Sequence, residues 1–226
     1  MSSAESVGVR PRREGSMFLL RRPSRREIER FLDRSRRLPL SYGPTGTVRH
    51  GSAADRVGEH VVTIGHGKPD FERARLALAA WKHFDLGWVE AYPAQLSVEA
   101  GTDVAVLIRH LGFWSLNGAR VLYQVGGFEG QDAFGFAYGT LTNHAESGEE
   151  LFEVSIDRQS GDVMYRIRVV SRPQSSLTWI GLPIVRRLQA RFRHDSAVAM
   201  RRSSSAPTTL LSPSRRASAR QGPPEP

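Results

Sequence analysis

The chain contains no cysteine, and only two of its 32 basic residues are lysine. Without cysteine there are no disulfides, no thiol nucleophile and no Cys-ligated zinc. A reducing cytoplasm suits such a chain, and a cytoplasmic location is the expectation. Long apolar runs are also missing. Stretches such as Val104–Ile108 fall far short of the roughly 20 residues that a membrane-spanning helix needs. The MFLL run at 17–20 is short and is followed, not preceded, by arginines, so it does not read as a signal peptide. Phosphate-cradling glycine motifs are lacking as well. Gly65-x-Gly67-Lys68 has the wrong spacing for a P-loop and runs into Pro69, and no GxGxxG follows a strand. No GxSxG elbow is present. These absences exclude P-loop, dinucleotide-fold and α/β-hydrolase chemistry, and no cofactor is expected.

Charge is present but unevenly placed. The formal net charge is +9, of which residues 1–16 carry +1 and residues 201–226 carry +4. An arginine bias of this kind reflects a GC-rich genome as readily as phosphate binding. Residues 21–37 hold eight arginines against Glu27, Glu29 and Asp33. No aromatic residues interleave them, as a single-strand binder would require, so a solvated helix face is the simpler reading. Contact with nucleic acid or an anionic membrane stays open as the weaker one.

A length of 226 residues allows one domain with a sizeable core. Residues 1–16 read as a disordered extension and 17–202 as a single domain. Residues 203–226 read as a disordered Ser/Pro/Arg-rich tail, because such composition cannot offset ordering entropy.

Within the domain, Ser24 and Glu27 form a capping box for a helix carrying Ile28, Phe31 and Leu32, which should end before Pro39. A strand at 59–64 leads through Gly65 and Gly67 into a second helix capped by Asp70, with Gly87 as its stop. From residue 94 the period changes to two. Strands are expected at 96–98, 103–109, 120–125, 133–141, 151–156 and 162–171, with Asn117-Gly118 among the turn markers. A long terminal helix opens at Pro183. Its less polar stripe is Val185, Leu188, Phe192, Ser196 and Ala199, opposite Arg186, Arg187, Arg191 and Arg193. The fold class is therefore α+β: a curved antiparallel sheet with two N-terminal helices and a long C-terminal helix.

Several motifs in order carry a family resemblance. They are YGPTG at 42–46, GHGKPDFERARLAL at 65–78, Trp81 with Trp88, NGARVLY at 117–123, FGFAYGTL at 134–141, HAESGEELF at 144–152, SRP at 171–173 and RRLQARFRHDSAVAM at 186–200. Together they resemble the DUF1990 (UPF0548) family over about residues 17–202. That family usually has glycine where this chain has Asn143, and Asn also tolerates positive φ. The family carries no established activity. Its layout is similar to the START/Bet v 1 helix-grip superfamily, which implies a pocket between the sheet and the C-terminal helix.

The leading expectation is a binding protein for a small apolar or amphipathic molecule in that pocket. Candidate ligand residues are Trp88, Tyr123, Phe136, Tyr138, Tyr165 and Phe192, with Asn117, Arg120, His144 and Glu150 as polar groups. The other reading of the same pocket is an enzyme using His144 and Glu150 as an acid–base pair. The charged turn 144–150 has one histidine, a poor start for a metal site, so none is expected. Arg120 should project away from Ala119, Val121, Tyr123 and Val125 and pair with Glu146, Glu149 or Glu150. Oligomeric state is not legible.

Overall fold

The computed structural model describes residues 17–50, 57–126, 132–173 and 182–205. Of the segments expected to be disordered, 1–16 and 203–226, residues 1–16 and 206–226 lie outside the described residues, and residues 203–205 are helical. The elements are β1 (Met17–Leu19), α1 (Arg25–Ser35), α2 (Thr47–His50), β2 (Gly58–His66), α3 (Gly67–Ala79), β3 (Val89–Tyr92), β4 (Asp103–His110), β5 (Phe113–Gly126), β6 (Ala133–Thr140), β7 (Glu146–Ile156), β8 (Asp162–Pro173) and α4 (Leu182–Ser205). The strands form one antiparallel sheet in the order β2-β8-β7-β6-β5-β4-β3, with β1 paired to the start of β5.

Both faces of this sheet are covered, and that sets its sequence pattern. Val104 and Val106 of β4 belong to the core beneath α3 and α4, whereas Ala105 and Leu107 pack under α1 against Ile28, Phe31 and Leu32. A strand buried on both sides reads as a continuous apolar run instead of an alternation. The α3/α4 side is the inner face that the long terminal helix crosses, so the fold is the expected α+β helix-grip arrangement. No helix among the described residues is long and apolar enough to cross a membrane.

Local chemistry explains where the elements depart from the sequence reading. The Ser24/Glu27 capping box is formed as expected. Asp70 is not the N-cap of α3, because the helix already begins at Gly67; its carboxylate instead accepts from the His66 N–H at 2.9 Å. The same helix ends at Ala79, well before Gly87. Trp81 then adopts a left-handed φ of 57° and leads a 3-10 turn at Lys82–Phe84. Residues 96–98 form no strand; the edge strand is Val89–Tyr92, hidden in the sequence inside an aromatic stretch. The terminal helix runs through Ser205, past the expected end at 202. Ser204 anchors it, donating to the Ile64 carbonyl at 2.5 Å.

Asn117-Gly118 looks like a turn but lies in the middle of β5, where both residues are buried. The reason is a close approach. A Cβ on Gly118 would sit 2.2 Å from Oδ1 of Asn143, whose Nδ2 donates to Ser35 Oγ at 2.8 Å. Asn143 thus ties α1 to the β6–β7 turn. It does not use positive φ: among the described residues the only non-glycines that do are Trp81 and Leu111. Replacing Gly118 with alanine should displace Asn143 and cost about 1–3 kcal/mol in urea unfolding. Adding Asn143→Gly should recover much of that loss. A Gly118→Ala chain as stable as wild type would show that the contact relaxes freely.

Candidate functional site

Strands β6, β7 and β8 bring Phe136, Tyr138, Phe152 and Tyr165 to the inner face. The 3-10 turn delivers His83 and Phe84, and α4 lowers Phe192 onto them. These rings pack on one another. His83 lies 4.5 Å from Phe152, Trp81 lies 4.6 Å from Phe136, and Phe84 lies 5.1 Å from Phe192, centroid to centroid. Phe136, Phe152, Tyr165 and His83 are all fully buried. The deep part of the grip is therefore filled by aromatic side chains.

The polar end of this face is different. Residues Glu146, Glu149 and Glu150, expected in a loop, belong to β7 itself. Strand alternation sends Glu150 inward and Glu149 outward. Glu150 accepts a 2.6 Å hydrogen bond from the Tyr138 hydroxyl. Gln189 of α4 donates to Glu146 at 3.0 Å. His144 Nδ1 accepts from the Glu146 N–H at 3.0 Å, which leaves Nε2 to carry the ring proton. Glu150 and His144 retain some solvent access, yet protein surrounds them closely enough for desolvation to dominate their titration. Burial pushes Glu150 up to about 7; Glu146 adds to the rise, while Tyr138 and Arg193 oppose it. Burial likewise raises Glu146, against the Gln189 hydrogen bond. His144 falls to about 4 because its charged form is desolvated. Tyr138 is raised by burial and by the neighbouring Glu150 charge.

Arg193 also lines a groove of about 230 Å3 between the edge strand β2 and α4. His60 and Val62 form the sheet side; His194, Ala197 and Arg201 share the helix side with Arg193. An open groove between sheet and C-terminal helix thus lies at the β2 edge, while aromatic rings pack under the middle strands.

The expected ligand residues separate into two groups. Trp88, Asn117, Phe136, Tyr138, Glu150, Tyr165 and Phe192 are on the inner side, with His144 in the turn at its end. Asn117 is already occupied, accepting from Ala145 N–H at 3.2 Å and donating to Ser115 and the Val106 carbonyl. Trp88 donates to Asp195 at 2.9 Å and lies under Arg191. Arg120 and Tyr123 are on the outer face. A bulge between Val121 and Tyr123 reverses the alternation, so Tyr123 does not share the face of Ala119 and Val121. Arg120 does not pair with the β7 glutamates. It donates to Asp103 at 2.7 Å and to the Arg36 carbonyl at 3.0 Å. Tyr123 donates instead to Glu149 at 2.6 Å, alongside Tyr42 at 3.0 Å and the Gly46 N–H at 2.8 Å. Glu149 therefore anchors the 42–46 loop.

Sequence reading missed His83, Glu146, Gln189 and Arg193 as members of this region. His83 is the least expected: both ring nitrogens, and Nε1 of Trp81, are buried without a partner among the described residues. Burial drives the His83 pKa down to about 3, so it is a neutral imidazole. Among the described residues His144 and Glu150 have separate hydrogen-bond partners, the Glu146 N–H and the Tyr138 hydroxyl, and no direct bond joins them.

The family model described as "Domain of unknown function (DUF1990)" matches residues 41–199. A UPF0548 protein of Dictyostelium discoideum is 32% identical over 203 residues, covering 81% of this chain and 94% of that protein. Another from Deinococcus radiodurans is 35% identical over 199 residues, covering 82% of this chain and 98% of its own length. The chain belongs to the DUF1990 family. Among solved structures it is similar to the Zhui aromatase/cyclase of a Streptomyces species, with TM-score 0.43 and 15% identity over 66% of this chain and 93% of that one.

The two titrations oppose each other. Glu150 binds its proton more tightly when folded, so its stabilising effect is complete below the unfolded value of 4.5 and is lost as pH rises through about 7. His144, lowered from 6.5 to about 4, stabilises above 6.5 and loses that contribution as pH falls. Glu150→Gln keeps an acceptor for Tyr138 but cannot ionise. Its stability relative to wild type should therefore increase from pH 5 to pH 8, by up to ~3 kcal/mol. Thermal unfolding across that range is the measurement, and a difference that does not change with pH would show that Glu150 is not desolvated.

Proposed function

We propose that this chain binds a small amphipathic molecule between its sheet and α4, at the polar end of the inner face and the adjoining β2 groove. The observation that carries the reading is Glu150, a desolvated carboxyl on an otherwise aromatic face. Burying a carboxyl away from an ion pair is costly, and such groups collect where a ligand is recognised or chemistry is done. Around it are Tyr138, Glu146, Gln189 and Arg193; Arg193 also lines the β2 groove, where Val62 and Ala197 supply apolar surface. A groove of about 230 Å3 is smaller than the ~300–1,000 Å3 of drug-sized sites. The ligand is accordingly compact, with its hydrogen-bond donors toward Glu150 and Glu146 and an acceptor or anionic group toward Arg193.

A second reading has the same address. A carboxyl titrating near 7 is matched to general acid–base work at neutral pH, with Tyr138 as its hydrogen-bonded neighbour and not His144.

Native mass spectrometry of the chain purified from its own host tests both readings. Simple binding predicts an unmodified small molecule retained by the wild type. Affinity should fall by about tenfold or more in Glu150→Gln, the scale of a hydrogen bond to a charged group. Catalysis predicts turnover of that molecule, abolished by the same substitution. Retention unaffected by Glu150→Gln and by Arg193→Gln would place the ligand elsewhere and overturn the proposal.

A further inference from the structure

The β4–β5 hairpin carries a residue that folding alone does not favour. His110 and Phe113 pair across a two-residue loop made of Leu111 and Gly112, with φ of 49° and 81°. A tight hairpin with positive φ at both loop positions selects Asn, Asp or Gly at the first of them. Leucine is sterically strained there. It is also 71% exposed, so it is not held by packing.

Leu111 is not isolated. Phe113 follows it and is 43% exposed. Strand β1 pairs with this end of β5, Leu19 opposite Trp114, so Leu20 comes next to Phe113, and it is 81% exposed. Three of the five large apolar side chains exposed among the described residues thus meet at one tip. Cations surround it. Arg22 lies 5.7 Å over the Trp114 ring, and exposed Arg109 is the strand partner of Trp114. Arg21 precedes α1, and Arg25 and Arg26 open it. Glu27, Glu90 and Glu29 engage Arg21, Arg22 and Arg25, whereas Arg26 and Arg109 have no carboxylate partner among the described residues.

We propose that this tip is a membrane-insertion wedge, in which Leu20, Leu111 and Phe113 enter the acyl boundary of an anionic lipid surface and the arginines meet the headgroups. Exposed apolar patches mark protein or membrane contacts. Three side chains on a protruding hairpin fall well short of the about 800 Å2 per partner that a specific protein interface buries. They suit shallow insertion, where apolar burial and attraction to anionic lipid act together.

The test is flotation of the full chain with vesicles of phosphatidylcholine, with and without phosphatidylglycerol. Wild type should bind the anionic vesicles, more weakly as salt is raised. Leu111→Asn supplies the residue that the turn prefers, so its unfolding midpoint should be unchanged or higher. Its vesicle affinity should nevertheless fall by about tenfold. Phe113→Thr, compatible with a strand, should act in the same direction. No binding of wild type overturns the proposal. So does binding that survives both substitutions, since arginines or the basic chain ends then suffice. A concentration-dependent dimer abolished by Leu111→Asn would assign the tip to a second copy of the chain and equally overturn it.

Discussion

Two adjacent carboxyls buried on opposite faces of one strand constrain much of this structure. Glu149 is 1% exposed on the outer face, and Glu150 is desolvated on the inner one. A buried carboxyl must be satisfied or neutralised, and the two are handled differently. Glu149 gathers three donors, from Tyr42, Tyr123 and the Gly46 backbone, which fixes the 42–46 loop and gives Tyr123 and its bulge a structural purpose. Among the described residues Glu150 receives one, from Tyr138. The outer carboxyl is saturated by its own chain and the inner one is not. That asymmetry, more than any single distance, separates scaffold from site.

The aromatic interior has a matching asymmetry. Rings around His83 enclose an imidazole whose two nitrogens meet no partner among the described residues, although an unsatisfied buried polar group costs about 1–3 kcal/mol. Neutrality lessens that cost, and the pKa near 3 keeps His83 neutral across the physiological range. Stacking with Trp81 and edge contacts with Phe84 use the imidazole as a small aromatic disc. It therefore works as part of the aromatic packing under the middle strands, against Phe136, Phe152 and Tyr165.

Sequence reasoning found the architecture because its signals were local. The capping box, the period-two stretches and the amphipathic terminal helix each state their own conformation. It failed where long-range contact overrules local preference. Asn117-Gly118 is a good turn pair, yet the approach of Asn143 makes glycine a mid-strand requirement. The HAESGEE run is polar enough for a loop, but its carboxyls have burial sites waiting on both faces of β7. A single-residue bulge at Leu122, invisible in composition, moved Tyr123 to the outer face. Arg120 found Asp103 because the β4–β5 register sets those two opposite each other, and no pattern in the chain announces that register. For the candidate site, strand parity marks Phe136 and Tyr138, Glu150 belongs to a run that reads as a turn but is strand, and Gln189 and Arg193 need the placement of α4, which sequence does not specify.

The position beside His144 sharpens the distinction between scaffold and turn. Asn143 occupies that position with ordinary backbone geometry and spends its side chain on Ser35. It thus reinforces the contact between α1 and the β6–β7 turn without touching Glu150 or His144 through any hydrogen bond. Substitution there adjusts how firmly the turn is held from behind. The inner side of the same turn is held independently, by Glu146 through Gln189 and by Ala145 through Asn117. With support from both faces, the backbone carrying His144 is held in place, and its Nε2 has no hydrogen-bond partner among the described residues. The result is a supported turn that carries an imidazole next to the desolvated Glu146, which is itself close enough to Glu150 to raise its titration.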